Sequence, residues 1–312
     1  MSNTMDVADA FVTGVEHWTH KGGDVRLFLW HKYVDSPADK PAVLFVHGSS
    51  MASQPTFDLT VAGRPDSSVM DWFARRGFQC WTVDMEGYGR SSKHRDITCD
   101  IANGADDLVA ATDYILRTRN AERFFVYGIS SGALRAAAFT QRHPERVARL
   151  ALDAYVWTGE GSPTLEQRRK KLPEFMQSKR RPIDRAFVHS IFQRDHPDCA
   201  DPRTVDAFAD AILALDDSMP NGTYIDMCSR LPVNDPEKID VPTMVMRGQY
   251  DGIAGFDDLI AFYKRLPNPD KQFVVMPGIS HASFQQKNYR LVYHILHAYF
   301  TQPKPDYAGP AH

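Results

Sequence analysis

Apolar residues recur along this chain with two periods, one near two and one near 3.6. Phe11 to Thr19 and Val25 to Tyr33 partly alternate apolar and polar positions, with turn chemistry in Gly22-Gly23-Asp24 between them, which predicts a hairpin or a pair of edge strands. Short runs rich in β-branched and aromatic residues follow at Ala42 to Val46, Gln79 to Val83, Arg123 to Tyr127, Val147 to Leu152, Thr243 to Met246 and Gln272 to Met276. Strands this continuously apolar belong to a sheet covered on both faces. Helical spacing occupies Ser67 to Arg76, Ile101 to Arg119, Ser131 to Arg142, Phe256 to Arg265 and Asn288 to Phe300. In the second of these, Leu108, Ala111 and Ile115 share one side, and Asp106, Asp113 and Arg117 the other. Strand and helix alternate, so an α/β fold with a largely parallel sheet and right-handed crossovers is expected.

The alternation breaks between Trp157 and Asp240, where helix-like pieces are separated by eight prolines and no convincing strand is visible. This stretch is too long for a loop and is expected to form a helical cap, or lid, over the strand ends. The expected organisation is a core domain from residues 1–156 and 241–302, a cap of residues 157–240, and a loose Pro- and Gly-containing tail of residues 303–312.

Composition narrows the function classes. The chain has 312 residues, 36 Lys and Arg against 39 Asp and Glu, a net charge of -3 and 43% hydrophobic residues, the profile of an ordinary globular protein. No basic excess points to a nucleic-acid partner, and no apolar run approaches the roughly 18 residues of a membrane span. Met1 to Ala10 carries Asp6 and Asp9 but neither a basic start nor an apolar leader core, so a cytoplasmic location is expected. Cys80, Cys99, Cys199 and Cys228 lack any zinc-ligand spacing and are expected to be reduced structural thiols. Asp195, His196, Asp198 and Cys199 have the composition of a metal cluster but not the spacing, and no metal site is assigned.

The most specific chemical signal is Gly128-Ile129-Ser130-Ser131-Gly132, which follows a predicted strand and opens a predicted helix. A serine on such a tight turn is exposed, small residues on either side let the chain reverse, and the helix start aims its amides at developing negative charge. A serine hydroxyl is a weak nucleophile and needs a base, which needs an orienting carboxylate. Asp251, in Gly248-Gln249-Tyr250-Asp251-Gly252, and His281, in Pro277-Gly278-Ile279-Ser280-His281, each follow a later strand and supply these groups. Singly, each residue has an ordinary reading as a turn or surface residue; together, in the order Ser, Asp, His, they point to nucleophilic catalysis. Asp153, at the end of another strand, is an alternative acid. Acyl transfer also needs donors for an oxyanion, and the backbone amides of Ser49, after His47-Gly48, and of Ser131 are the natural pair. Ser50 offers a further hydroxyl.

These stretches, together with Asp84-Met85-Glu86-Gly87-Tyr88-Gly89-Arg90-Ser91-Ser92, resemble the α/β-hydrolase superfamily, and within it the capped members with a Ser-Asp-His triad. The resemblance implies an eight-stranded, mostly parallel sheet with helices on both faces, a helical cap inserted after strand 6, and a cofactor-free hydrolase. Ser130 replaces the Asp nucleophile of the similar haloalkane dehalogenases and epoxide hydrolases. Gly48-Ser49-Ser50-Met51 replaces the Gly-Gly-Pro-Gly of proline iminopeptidases, setting this chain apart from both groups. Glu86 precedes the first Gly of its loop where Arg or Pro is common, and is expected to be a structural carboxylate.

The cap should set specificity. Tyr155, Trp157, Met219, Tyr224 and Met227 are candidates to line an apolar pocket, and the basic run containing Arg168, Arg169, Lys170, Lys171, Lys179, Arg180, Arg181 and Arg185 is expected to be a solvated helix face, with steering of an anionic substrate as the alternative reading. The leading expectation is a serine hydrolase of a carboxylic ester or lactone of a small to medium, partly apolar molecule, through an acyl-enzyme. Amide or carbon-carbon hydrolysis by the same residues is the alternative; an acyltransferase and a non-catalytic binding protein on the same scaffold stand behind it.

Overall fold

The computed structural model describes residues 10–119 and 122–307. The first nine residues of the stretch considered for a leader and the last five residues of the tail lie outside the described residues; residues 303–307 are exposed and form neither helix nor strand. Chain order begins β1 (Val12–His20), β2 (Arg26–Val34), β3 (Ala42–Val46), α1 (Ser53–Phe57), α2 (Val69–Ala74), β4 (Gln79–Val83), α3 (Ile101–Arg119), β5 (Phe124–Ile129), α4 (Ser131–Arg142) and β6 (Val147–Asp153). It continues through α5 (Pro163–Arg169), α6 (Leu172–Gln177), β7 (Arg180–Pro182), α7 (Arg185–Gln193), α8 (Pro202–Leu213), β8 (Ser218–Pro220) and α9 (Gly222–Ser229), and ends with β9 (Thr243–Gly248), α10 (Phe256–Arg265), β10 (Lys271–Met276) and α11 (Tyr289–Thr301).

Eight strands form one sheet in the order β1-β2-β4-β3-β5-β6-β9-β10. β2 is antiparallel to both neighbours, and the pairs from β4 to β10 are parallel. The period-two pattern is realised in β3: Leu44 and Val46 pack into one core with Leu108, Ala111 and Ile115 of α3, while Val43 and Phe45 pack into a second with Phe73 of α2 and Leu296 of α11. Both faces are therefore covered, as the apolar strands required. α3, α4 and α10 have the predicted bounds, and Asp106 and Arg117 on the opposite side of α3 are exposed. α2 is shorter than its periodic stretch because Ser68 caps it, accepting from the Asp71 amide at 3.0 Å.

Between β6 and β9 the chain forms α5 to α9, and Pro163, Pro173 and Pro202 fall in first helical turns, where a missing N–H costs nothing. The expectation of no strand there is corrected: β7 and β8 pair antiparallel through Arg181 and Met219. Each has three residues and ends in proline, so only its distant partner makes it a strand. α1 was likewise absent from the periodic pattern, being five residues long. The insertion is pinned to the core by Lys93 with Asp216 at 2.6 Å, by the Gly222 amide on the Thr98 carbonyl at 2.7 Å, and by Arg64 on the Thr204 hydroxyl at 3.0 Å. All four cysteines are buried and free. Among the described residues no helix is long and apolar enough to cross a membrane.

Candidate active site

Ser130 occupies the one-residue turn between β5 and α4, with φ 57° and ψ -126°, a region that non-glycine residues avoid. The strain is held by close packing on both sides. A Cβ on Gly132 would lie 2.2 Å from the Val46 carbonyl oxygen, and one on Gly128 would lie 2.5 Å from that of Gly132. The Ser130 amide donates to the Asp153 carbonyl at 2.9 Å, tying the turn to β6.

The loops after β9 and β10 meet above this turn. Gly248 approaches the Ser280 carbonyl so closely that a Cβ would sit 2.4 Å away, and the Tyr250 amide donates to the Ile279 carbonyl at 2.9 Å. This contact carries Asp251 and His281 together. His281 Nε2 lies 2.9 Å from Ser130 Oγ, and its Nδ1 lies 3.0 Å from both carboxylate oxygens of Asp251. Asp251 Oδ1 also accepts from the amides of Ile253 at 2.8 Å and Ala254 at 3.1 Å. Burial works against its charge, but the His281 ring and these donors outweigh burial and hold the carboxyl well below its usual range. Asp153, the alternative acid, faces elsewhere: Tyr127 donates to its Oδ2 at 2.7 Å, and burial pushes its carboxyl up to about 6.

His47 organises the loop after β3. Its Nε2 accepts from the Met85 amide at 3.0 Å, so Nδ1 carries the proton and donates to the Gly48 carbonyl at 2.7 Å. Burial, then the nearby Arg135 charge, keeps this ring neutral by pushing it down to about 3. In a trans peptide the carbonyl and the next N–H point opposite ways, so holding the Gly48 oxygen directs the Ser49 amide. Among the described residues neither the Ser49 nor the Ser131 amide donates to another protein group. Glu86 is a structural carboxylate, as expected: it lies against Lys21 at 2.7 Å and Arg95 at 2.5 Å.

A cavity reaches Ser130 and His281; its wall includes Ser49, Ser50, Ile191 and Tyr224. Ser50 and Tyr224 are thus brought to the site, their hydroxyls 3.2 Å apart. Tyr155, Trp157, Met219 and Met227 do not line it. Tyr155 is fully buried against Phe262, and its hydroxyl accepts from Asn234; Trp157 packs on Phe262 under Arg265; Met219 is spent in β8 and Met227 inside α9. Each was plausible by type, but its direction is set by packing against distant elements. Arg168 and Arg194 do line the cavity, correcting the picture of a uniformly solvated basic face: Arg169, Lys170, Lys171, Lys179 and Arg185 are exposed, whereas Arg168, Arg180 and Arg181 are partly buried. Helical phase carried the signal, since Arg168 lies three residues after Leu165, the buried residue of α5. Within the would-be metal cluster, Asp195 pairs with Arg194 at 3.0 Å, and His196 packs at a tilt against Tyr250.

The family model for the serine aminopeptidases, S33, matches residues 37–288. The chain belongs to this family. It is a hydrolase of the α/β-hydrolase superfamily. Among relatives, it is 26% identical over 230 residues to a proline iminopeptidase of Neisseria meningitidis, covering 63% of this chain and 73% of that one. It is also 30% identical over 142 residues to epoxide hydrolase B of Mycobacterium tuberculosis, covering 42% and 34%. The expected separation from proline iminopeptidases is thereby corrected: the loop at Gly48-Ser49-Ser50-Met51 differs while the family relation holds. Of solved structures, an esterase from Exiguobacterium antarcticum superposes with a TM-score of 0.70 at 15% identity, covering 92% of this chain and all of that one, a likeness of fold.

Proposed function

We propose that this member of the family is a serine hydrolase of carboxylic esters, lactones included, acting on small to medium, partly apolar substrates. The observation that carries the reading is the relay in which Ser130 Oγ, His281 and Asp251 lie at 2.9 Å and 3.0 Å from one another in sequence. Ser130 attacks the carbonyl carbon while His281 Nε2 takes its proton. Asp251 holds the Nδ1 proton and balances the imidazolium. The oxyanion forms against the Ser49 and Ser131 amides, at the start of α4 where the helix dipole adds to their pull. His281 then protonates the leaving alcohol, and water, deprotonated by His281, releases the acid and restores Ser130. Ser50 and Tyr224 contact the bound molecule from the cavity wall.

Intact-mass labelling with a fluorophosphonate, alongside turnover of short and medium acyl 4-nitrophenyl esters, tests this. Stoichiometric labelling and ester turnover are expected, with labelling lost and kcat reduced roughly 10⁴-fold or more in Ser130→Ala. Folded wild-type protein that neither labels nor turns over esters refutes the reading. A second reading, amide hydrolysis by the same residues, is favoured by the similarity to proline iminopeptidases; labelling with turnover of aminoacyl 4-nitroanilides but not esters selects it.

A further inference from the structure

The cavity at Ser130 opens beside Tyr224 into an outer cleft, and Arg168, Ile191, Arg194 and Tyr224 line both. No residue lining the inner cavity is an Asp or Glu. Arg168 has its guanidinium carbon 4.4 Å from the centre of the Tyr224 ring, and among the described residues the guanidinium makes no ion pair or hydrogen bond. On the other side Arg181 lies 3.7 Å from the same ring centre, held by donation to the carbonyls of Ser49 at 3.0 Å and Pro220 at 2.6 Å, to Asn221 Oδ1 at 3.3 Å and to the Ser50 hydroxyl at 3.3 Å; among the described residues its Nε has no partner. Arg194, the third cation, is paired with Asp195. Two guanidiniums, neither in an ion pair among the described residues, thus flank one phenol in the wall of the cavity that holds Ser130, and Glu174 lines only the outer cleft. Desolvating a guanidinium without an anion is unfavourable, and a bound anion repays it through charge-assisted hydrogen bonds.

Resting on the hydrolase reading above, we propose that the substrate carries a carboxylate and that Arg168 receives it, with Arg181 and Arg194 adding to the positive field. Tyr224 reports the same field: burial raises a phenol, yet the charges of Arg168 and Arg181, the Ser50 hydroxyl and Arg194 together bring this one down to about 7. The field also repels the cationic amino terminus of a peptide, which sets the site's preference apart from aminopeptidase substrates. The net charge of the chain, -3, hides this local excess.

Two matched pairs of esters test the proposal on either side of the scissile bond: mono-4-nitrophenyl glutarate against 4-nitrophenyl pentanoate, and 4-acetoxybenzoate against phenyl acetate. In at least one pair kcat/KM is expected to favour the charged ester by about tenfold or more, a preference that shrinks as ionic strength rises. Arg168→Gln should bring that ratio close to one, and Arg168→Lys should keep part of it. A wild-type ratio at or below one in both pairs, or a ratio untouched by Arg168→Gln, overturns the proposal. If Arg168→Gln does not fold, competition on the wild type decides: glutarate inhibits in a salt-sensitive way and pentane-1,5-diol does not, whereas equal inhibition by both overturns it. Fluorophosphonate labelling separates the two failures. Labelled, ester-cleaving enzyme without charge preference removes only the carboxylate, and protein that neither labels nor cleaves removes the hydrolase reading and this one with it.

Discussion

At the residue scale, two buried carboxylates close to the base are distinguished by what they touch. Asp251 is held ionised by His281 and two amides, while Asp153 is buried beneath with the Tyr127 hydroxyl on one oxygen. Replacing Asp251 by Asn keeps the shape but offers Nδ1 an amide in place of an acceptor of fixed charge. We expect Asp251→Asn to lower kcat on 4-nitrophenyl butyrate about 10⁴-fold and Asp153→Asn to lower it less than about tenfold. Comparable losses in the two variants would reverse the assignment.

At the element scale, the site exists because strand ends and loops approach one another where only glycine fits. β3 and β5 are neighbours, and α4 begins so close to the end of β3 that Gly132 has backbone oxygens of Val46 and His47 where its Cβ would be. The same close approach puts the Ser131 amide beside the Ser49 loop and Ser130 below His281. Gly132→Ala therefore forces β3 and α4 apart. We expect it to destabilise the protein by about 3 kcal/mol or more in urea unfolding and to cut turnover even where the fold survives. Unchanged stability would mean that the two elements yield more readily than their packing implies.

At the scale of the whole molecule, the sheet encloses histidines that stay neutral. His31 of β2 is stacked on Trp81 with ring centres 3.7 Å apart, neither ring nitrogen has a partner among the described residues, and burial, then the charges of Arg119 and His17, push it down to about 2. The folded pKa lies below the unfolded value of 6.5, so the unfolded chain takes up the proton first and stability falls as pH drops below about 6.5. His31→Phe removes that contribution. Its stability relative to wild type should improve by about 1 kcal/mol per pH unit between pH 6 and pH 4, measured by urea unfolding at several pH values. A difference independent of pH would show that His31 takes up its proton equally in the folded and the unfolded chain.

The local sequence determined most of the architecture, because period-two and period-3.6 patterns report which side of an element is buried, and a buried side is a property of consecutive residues. Hence the bounds of α3, α4 and α10 and the parallel sheet were legible from the chain alone, while the count of eight strands came from the family resemblance. The Ser, Asp and His positions were legible too, since each follows an apolar strand with its own turn residues. Tertiary structure alone decided the rest. β7 and β8 are strands only because they found each other, and Asp251 faces His281 in preference to Asp153 because Gly248 lets two loops touch. Between β6 and β9, Tyr155, Trp157 and Met219 turn away from the cavity. Side-chain direction there follows from packing between residues far apart in sequence, which no local period records.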